Sequence, residues 1–312
     1  MTAPDLVLPV DLARYAAGNT GVPYFHRFDS DRPGPRVTIL ALTHGNEWCG
    51  ALALHHLFER GVRPARGTLT LGFANVAAAQ TRASDGSGSR RYIDEDFNRL
   101  WTGPVLDGPR TSHELERARV IRPLIDDTDH LLDLHSMQTP SPPLALAGLA
   151  DKGLALCRRL GWPSHIIRDA GHPEGARMRD YGAFARDGDS RSAVLVECGQ
   201  HQDPTSVTVA IEVSYRFLDT FGLLRLADRP TIPEAPPATV ITVTGLVSVQ
   251  SPAFRFARDY RGLEVIEHAG TVVAWDGERA ITTPHDDAVL IMPSPRIRVG
   301  QTALRFGRVA AP

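Results

Sequence analysis

Between residues 36 and 225 short apolar runs alternate with helix-like segments, and no other property limits the fold so strongly. An unbroken aliphatic run needs cover on both faces, which a sheet flanked by helices provides. Val37–Leu42, Leu69–Ala74, His130–Leu134 and Ser192–Val196 read as strands of this kind. Asn46 to Arg60, closed by Gly61, reads as the helix after the first strand, and Glu114 to Asp126 as a second helix despite Pro123. A further helix starts near Pro204, whose missing N–H costs nothing in a first turn, and runs to Leu224.

The texture then changes. ADRPTIPEAPPATV, residues 227–240, holds four prolines in fourteen positions and reads as a stiff, extended boundary. Beyond it, residues 239–312 alternate Val, Ile and Thr with polar residues and turn glycines, the pattern of a small all-β unit. SDGSGSR, residues 84–90, reads as a flexible polar loop just ahead of a dense charged cluster.

Charge excludes several functions. The 34 basic and 36 acidic side chains leave a net −2, so no electrostatic footprint for nucleic acid or an anionic membrane is visible. Every basic residue except Lys152 is arginine. Cys49, Cys157 and Cys198 are too few and too scattered for a disulfide framework or a thiolate metal site. The N-terminal MTAPDLVLPVDLARY lacks the basic start and apolar core of a leader, and no run approaches the ~20 apolar residues of a membrane span. A cytoplasmic protein is the expectation.

Four motifs carry candidate chemistry. His44-Gly45-Asn46-Glu47 follows the first strand, where open α/β sheets place their sites. Its histidine and carboxylate can face one metal ion if Gly45 permits a tight turn, the alternative being a helix cap at Asn46. Asp133-Leu134-His135-Ser136 closes another strand, with His135 a ligand or a core histidine, and Asp133 its orienting partner if strand alternation allows. Arg90 to Trp101 packs three arginines and three acids into ten residues, either a solvated ion-pair network or guanidinium forks aimed at carboxylates and carbonyl oxygens. Val194-Leu195-Val196-Glu197 ends an apolar strand on a glutamate, costly to bury unless it is paired or acts as a general base. Together, two histidines and a glutamate make the ligand set of catalytic zinc hydrolases.

In this order, THGNE (43–47), RYIDEDFNR (91–99), DLHS (133–136) and VECGQ (196–200) resemble the succinylglutamate desuccinylase/aspartoacylase family, a branch of the zinc carboxypeptidase-like enzymes. The resemblance spans residues 36 to 225. It implies one zinc ion held by His44, Glu47 and His135, with Glu197 as general base and proton shuttle. It implies that Arg91 polarises the scissile carbonyl, and that Asn98 and Arg99 grip a substrate carboxylate. The implied fold is α/β, a mixed central sheet flanked by helices, with a small C-terminal all-β domain of barrel-sandwich type. The domains would be a catalytic one over 1–228, a linker over 229–240 and a β domain over 241–312 beside the active-site mouth.

Phe97 stands where many members of the family have leucine. The family's substrate tyrosine has no matching position, Tyr181 and Tyr260 being loose candidates, and Arg177 or Arg179 is a candidate further substrate arginine. HAGTVVAW, TTPHDDAVLIMP and RVGQTALRF resemble lipoyl-type domains without the carrier lysine. His172, His201 and His285 are candidates for the pocket mouth only, and His55 and His56 for a helix surface. Cys198, next to Glu197 on a strand, is expected to point away from the site.

The resulting expectation is a zinc-dependent deacylase of small N-acyl amino acids, with no nucleic-acid or membrane partner and with homo-oligomerisation left open. A metallocarboxypeptidase, an esterase and a non-catalytic relative are the alternatives. Zinc is favoured over cobalt or manganese by the ligand set.

Overall fold

The computed structural model describes residues 10–310 apart from 85, 87, 232 and 295–297. Most of the N-terminal stretch read for a leader, two positions of the 84–90 loop and part of the last β segment therefore lie outside the described residues. The strands are β1 (Phe25–Asp29), β2 (Arg36–Ala41), β3 (Thr68–Phe73), β4 (His130–Met137), β5 (Leu144–Leu146), β6 (His165–Arg168) and β7 (Ser192–Gln200). They continue as β8 (Thr239–Ser248), β9 (Phe254–Phe256), β10 (Glu264–Ile266), β11 (Val272–Asp276), β12 (Arg279–Thr282), β13 (Ala288–Ile291) and β14 (Thr302–Val309). The helices are α1 (Trp48–Glu59), α2 (Val76–Gln80), α3 (Gly103–Leu106), α4 (His113–Asp126), α5 (Asp151–Leu160) and α6 (Thr205–Thr220).

One mixed sheet runs in the order β1-β3-β2-β4-β7-β5-β6-β8-β14-β13-β10, and a small antiparallel sheet in the order β12-β11-β9. Its centre, β3-β2-β4-β7, is parallel. The period of two decides which helices cover which face. Ile39, Leu132 and Val194 pack with Leu54, Leu57 and Phe217 of α1 and α6. Their neighbours Leu40, Leu131 and Ala193 point the other way, against Ile121 and Ile125 of α4 and the anchors Phe97 and Trp101. Each fully buried aliphatic side chain here stabilises by about 1.5–3 kcal/mol.

The strands β4 and β7 run past the ends read from sequence. Their pairing continues through His135–Glu197 and, after a bulge, to Met137–Gln200. Both residues therefore lie within strands. Short β1, β5 and β6 and helix α5 escape a reading based on long apolar runs.

The C-terminal strands do not stand off from this sheet. β8 pairs in parallel with β6 from Thr239 to Thr242, and antiparallel with β14 along its length. A local core of Val273, Leu290, Leu304 and Phe306 fills the C-terminal part. A second cluster joins it to the rest, with Val289 and Ile291 against Leu144, Ile167 and Leu195. Among the described residues no helix is long and apolar enough to cross a membrane.

Candidate active site

Three parallel strands deliver the polar residues to one edge of the sheet, at their C-terminal ends. After β2 the buried Leu42 adopts φ +57°, a left-handed conformation costly for a side chain, and turns the chain sharply into Thr43 and His44. Gly45 follows for want of space rather than for conformational freedom. A Cβ there would sit 2.3 Å from the Ala79 nitrogen and 2.6 Å from the Arg90 carbonyl oxygen. Its N–H donates to the Arg91 carbonyl at 3.0 Å, which ties the histidine loop to the arginine cluster.

His44, Glu47 and His135 are all buried, with donor atoms within 4.8 Å of one another. The Glu47 carboxylate lies between the two imidazoles, Oε1 at 2.9 Å from His44 Nδ1 and Oε2 at 2.8 Å from His135 Nδ1. The far nitrogen of each ring meets a carboxylate: His44 Nε2 lies 3.0 Å from Asp96 and His135 Nε2 lies 2.8 Å from Asp133. Asp133 and His135 are two apart on β4 and so share a face, which is why Asp133 can orient the ring. Burial works against the charge on Glu47, but the two histidines outweigh it and hold the carboxyl well below its ordinary range. His135 is likewise opposed by burial, yet Asp133 and Glu47 raise it well above the ordinary imidazole value.

This donor set fits a divalent ion. Two imidazole Nδ1 atoms and one carboxylate converge, and each imidazole is fixed through its Nε2 by a carboxylate, the arrangement that orients histidine ligands in metal sites.

The charged segment 90–101 folds over this cluster. Glu114, wholly buried at the start of α4, accepts from the backbone nitrogens of Ile93, Asp94 and Glu95 at 2.6, 3.0 and 3.2 Å. That grip presents Asp96, whose Oδ2 receives Arg91 Nη2 at 3.0 Å. Arg91 Nη1 also donates to Glu47 Oε1 at 3.1 Å. Burial disfavours the Arg91 charge, but Asp96 and Glu47 outweigh it and hold the guanidinium more firmly protonated than usual. The solvated ion-pair alternative therefore does not describe this part of the segment.

Glu197 stands beside His135 in register on β7. It is partly buried, and its Oε2 is enclosed with no hydrogen-bond partner among the described residues. Burial, followed by the Glu47 charge, pushes its carboxyl up to about 8, against the pull of His135, Arg91 and Arg177. Cys198 points to the opposite side, into the core with Cys49, as strand alternation requires.

The remaining candidates divide. Asn98 is buried, with Oδ1 accepting from the Met178 nitrogen at 2.7 Å and Nδ2 3.5 Å from both Asp133 and His135. Arg99 donates to the Asn98 carbonyl at 2.8 Å, while its Nε is buried without a partner among the described residues. Arg177 forms a two-pronged pair with buried Asp169, at 3.1 and 2.9 Å. Arg179 reaches Asp180 and the Ala147 carbonyl. Tyr181 is bonded to Arg122 and packed on Trp101, and Tyr260 lies in the C-terminal core, so the structure brings neither to the cluster. His285 bonds Thr244, and His55 and His56 bond Tyr15 and Tyr215.

His201 does reach the cluster, its Nδ1 2.9 Å from Ser136 Oγ and its Nε2 3.4 Å from Asn46. Burial pushes its ring down to about 4, so it is neutral at pH 7. Asp96 and Glu114 were not assigned roles from sequence, and this histidine was read only as a candidate for the pocket mouth. The one usable signal was the i, i+2 spacing of Asp133 and His135.

Comparison with known proteins bears on the same segment. Residues 33–178 match the model of the family described as the succinylglutamate desuccinylase/aspartoacylase catalytic domain. Human N-acyl-aromatic-L-amino acid amidohydrolase (carboxylate-forming) is 30% identical over 139 residues, 41% of this chain and 42% of that protein. The rat protein of the same name is 28% identical over 189 residues, 54% of each. The chain thus spans about half the length of the curated relatives it matches. The X-ray structure of succinylglutamate desuccinylase from Vibrio parahaemolyticus shares the fold, with a TM-score of 0.66 at 17% identity over 91% of this chain and 84% of that one.

Proposed function

We propose that this chain, whose residues 33–178 match the model of the succinylglutamate desuccinylase/aspartoacylase catalytic domain, is a zinc-dependent amidohydrolase that removes the acyl group from a small N-acyl amino acid or a similar carboxylate-bearing amide. The carrying observation is the buried His44–Glu47–His135 cluster with a second glutamate, Glu197, in register beside it, its Oε2 without a hydrogen-bond partner among the described residues. The names of the human and rat relatives support the amide and the amino-acid part of the substrate.

His44, Glu47 and His135 would hold the ion. When bound, a divalent ion there supplies Lewis acidity, polarising an amide carbonyl and making water a better nucleophile at neutral pH. Glu197 takes the proton from the attacking water on Oε2 and returns it to the leaving nitrogen. Its enclosure, which disfavours the charged carboxylate, suits it to both halves of that task. Arg91, fixed by Asp96 and Glu47, presents its guanidinium to the developing oxyanion. Arg99 takes the substrate carboxylate, and Asn98 steadies it with its Nδ2 donor, converting binding of a remote group into orientation. The strands from residue 241 onward, read as a separate unit at the mouth, limit access to small substrates.

Amine release from acetyl, succinyl and formyl derivatives of acidic, basic and neutral amino acids, with and without a chelator, tests the reading. Chelator-sensitive release is expected for one subset. Glu197→Gln is expected to abolish turnover while the protein retains one equivalent of zinc, and survival of activity in that variant would refute the general-base role.

A further inference from the structure

Arg305 is a charged side chain that the metal cluster does not use and that has no ion-pair partner among the described residues. It lies on β14, opposite Ile291 of β13 and Leu246 of β8. Cross-strand partners share a face, and Ile291 belongs to the seam with Met137, Leu144 and Leu195. Arg305 therefore faces the part of the chain that carries the active site, not the C-terminal core occupied by Leu304 and Phe306.

Arg305 is 6% exposed, and its Nη2 is buried with no hydrogen-bond partner among the described residues. The charges acting on it are Arg177, Asp169, Arg99 and Glu174. Both acids are already engaged. Asp169 is held by both terminal nitrogens of Arg177, and Glu174 accepts from the Thr302 backbone nitrogen at 3.1 Å. Arg99 brings a second buried, unpartnered nitrogen, its Nε. Burial, and then the charges of Arg99, Arg305 and Arg177, push the His172 imidazole down to about 2. Burial and Arg177 lower Arg305 itself only to about 10, so it stays charged at neutral pH. An unpaired buried guanidinium costs several kcal/mol, which a fold tolerates when a ligand brings the missing anion.

We propose that Arg305 and Arg99, with Arg177 and His172 around them, form a small-anion subsite at the seam between the C-terminal strands and the active site. Its ligand is a compact monoanion, supplied either by a carboxylate of the substrate or by a free anion such as chloride. The substrate form rests on the deacylase reading above, and the free-anion form does not.

Thermal unfolding of the zinc-loaded protein in chloride, acetate and the bulky anion gluconate, at equal ionic strength, tests the subsite. Chloride or acetate at tenfold its Kd is expected to raise Tm by about 2 °C over gluconate. Arg305→Met is expected to lose that rise while folding at least as stably in gluconate, because an unpaired buried charge has gone. A purely structural arginine would instead lower Tm in every anion. Equal anion responses in the native protein and Arg305→Met overturn the proposal, as does a native protein indifferent to anion identity.

Kinetics separate the two sources. If a substrate carboxylate fills the subsite, Arg305→Met raises KM roughly tenfold or more for N-acetyl-alanine and N-acetyl-glutamate but not for N-acetyl-alaninamide, which has no carboxylate. If a free anion fills it, chloride changes the rates of all three alike. Absence of amine release from every substrate, with an Arg305-dependent chloride effect on Tm intact, would remove the deacylase reading and leave the anion subsite standing.

Discussion

Lys152 offers a sharp test of how the strand that carries Glu197 is held. It is the only lysine in a chain with 34 basic residues, and it sits in the first turn of α5, where the helix dipole disfavours a cation. Its ammonium donates to three backbone carbonyls, Ala183 at 2.7 Å, Asp189 at 3.1 Å and Arg191 at 2.7 Å. These belong to the loop that enters β7 at Ser192. Three carbonyls match the three N–H donors of one ammonium, whereas a planar guanidinium cannot converge its donors on one point. Each hydrogen bond from a charged donor contributes about 1.5–3 kcal/mol when shielded. The group is partly open to solvent, so water recovers much of the loss, and Lys152→Met is expected to cost about 2–3 kcal/mol in all. Lys152→Arg should regain only part of that. Urea unfolding of the three proteins gives the numbers, and activity per folded molecule should not change. An arginine variant within about 0.5 kcal/mol of the native protein would refute the argument from donor geometry. Reductive methylation supplies a second readout, since Lys152 is the sole side-chain amine and should react slowly until the protein unfolds.

Two further outcomes follow from named contacts. Asp133→Asn removes the anionic partner of His135 Nε2 and is expected to weaken zinc about 10–100-fold in a chelator competition, with far-UV circular dichroism unchanged. Unaltered affinity would show that Asp133 does not support the ligand. His130, stacked on Phe221 at 3.8 Å and pushed down to about 4 mainly by burial, should make stability pH-dependent. The unfolded imidazole binds its proton near pH 6.5 and the folded one only near 4, so stability is full above pH 6.5 and declines as pH falls between those values. Allowing for solvent screening, the loss is on the order of 1–2 kcal/mol. It should be absent from His130→Gln, as the difference between urea midpoints at pH 5 and pH 7.5 would show.

How far the sequence could be read depended on whether the determinant was local. His44, Glu47, His135 and Glu197 each sit at or just after a strip of buried strand, and a polar residue in that position is visible because burying it is costly. The roles of Asp96 and Glu114 were not legible, because each depends on where a loop lies against a helix begun 17 residues later. Gly45 was legible as a necessary glycine but for the wrong cause, since the crowding by Ala79 and Arg90 is a tertiary fact. The ends of β4 and β7 were misjudged because strand length is set by the partner: polar Ser136 and Gln200 stay in the ladder only because the two strands continue to pair past His135 and Glu197.

The joining of the C-terminal strands was hidden for the same reason, and it changes what those strands can do. Four prolines in the fourteen residues 227–240 suggested a linker ahead of a separate β domain, yet Thr239 to Thr242 pair with His165 to Arg168, so the C-terminal strands continue the main hydrogen-bonded sheet. A unit attached in this way cannot move as a body without breaking the β6–β8 ladder and the Val289–Ile291 seam. Residues on its inner face, Arg305 among them, therefore hold a fixed position relative to Arg99 and Glu197. A preorganised charge of that kind loses little entropy on meeting its ligand. Changing a side chain on β14 should consequently alter which small molecules bind while leaving the geometry of the metal cluster untouched, and the two properties can be measured separately as KM ratios and zinc affinity.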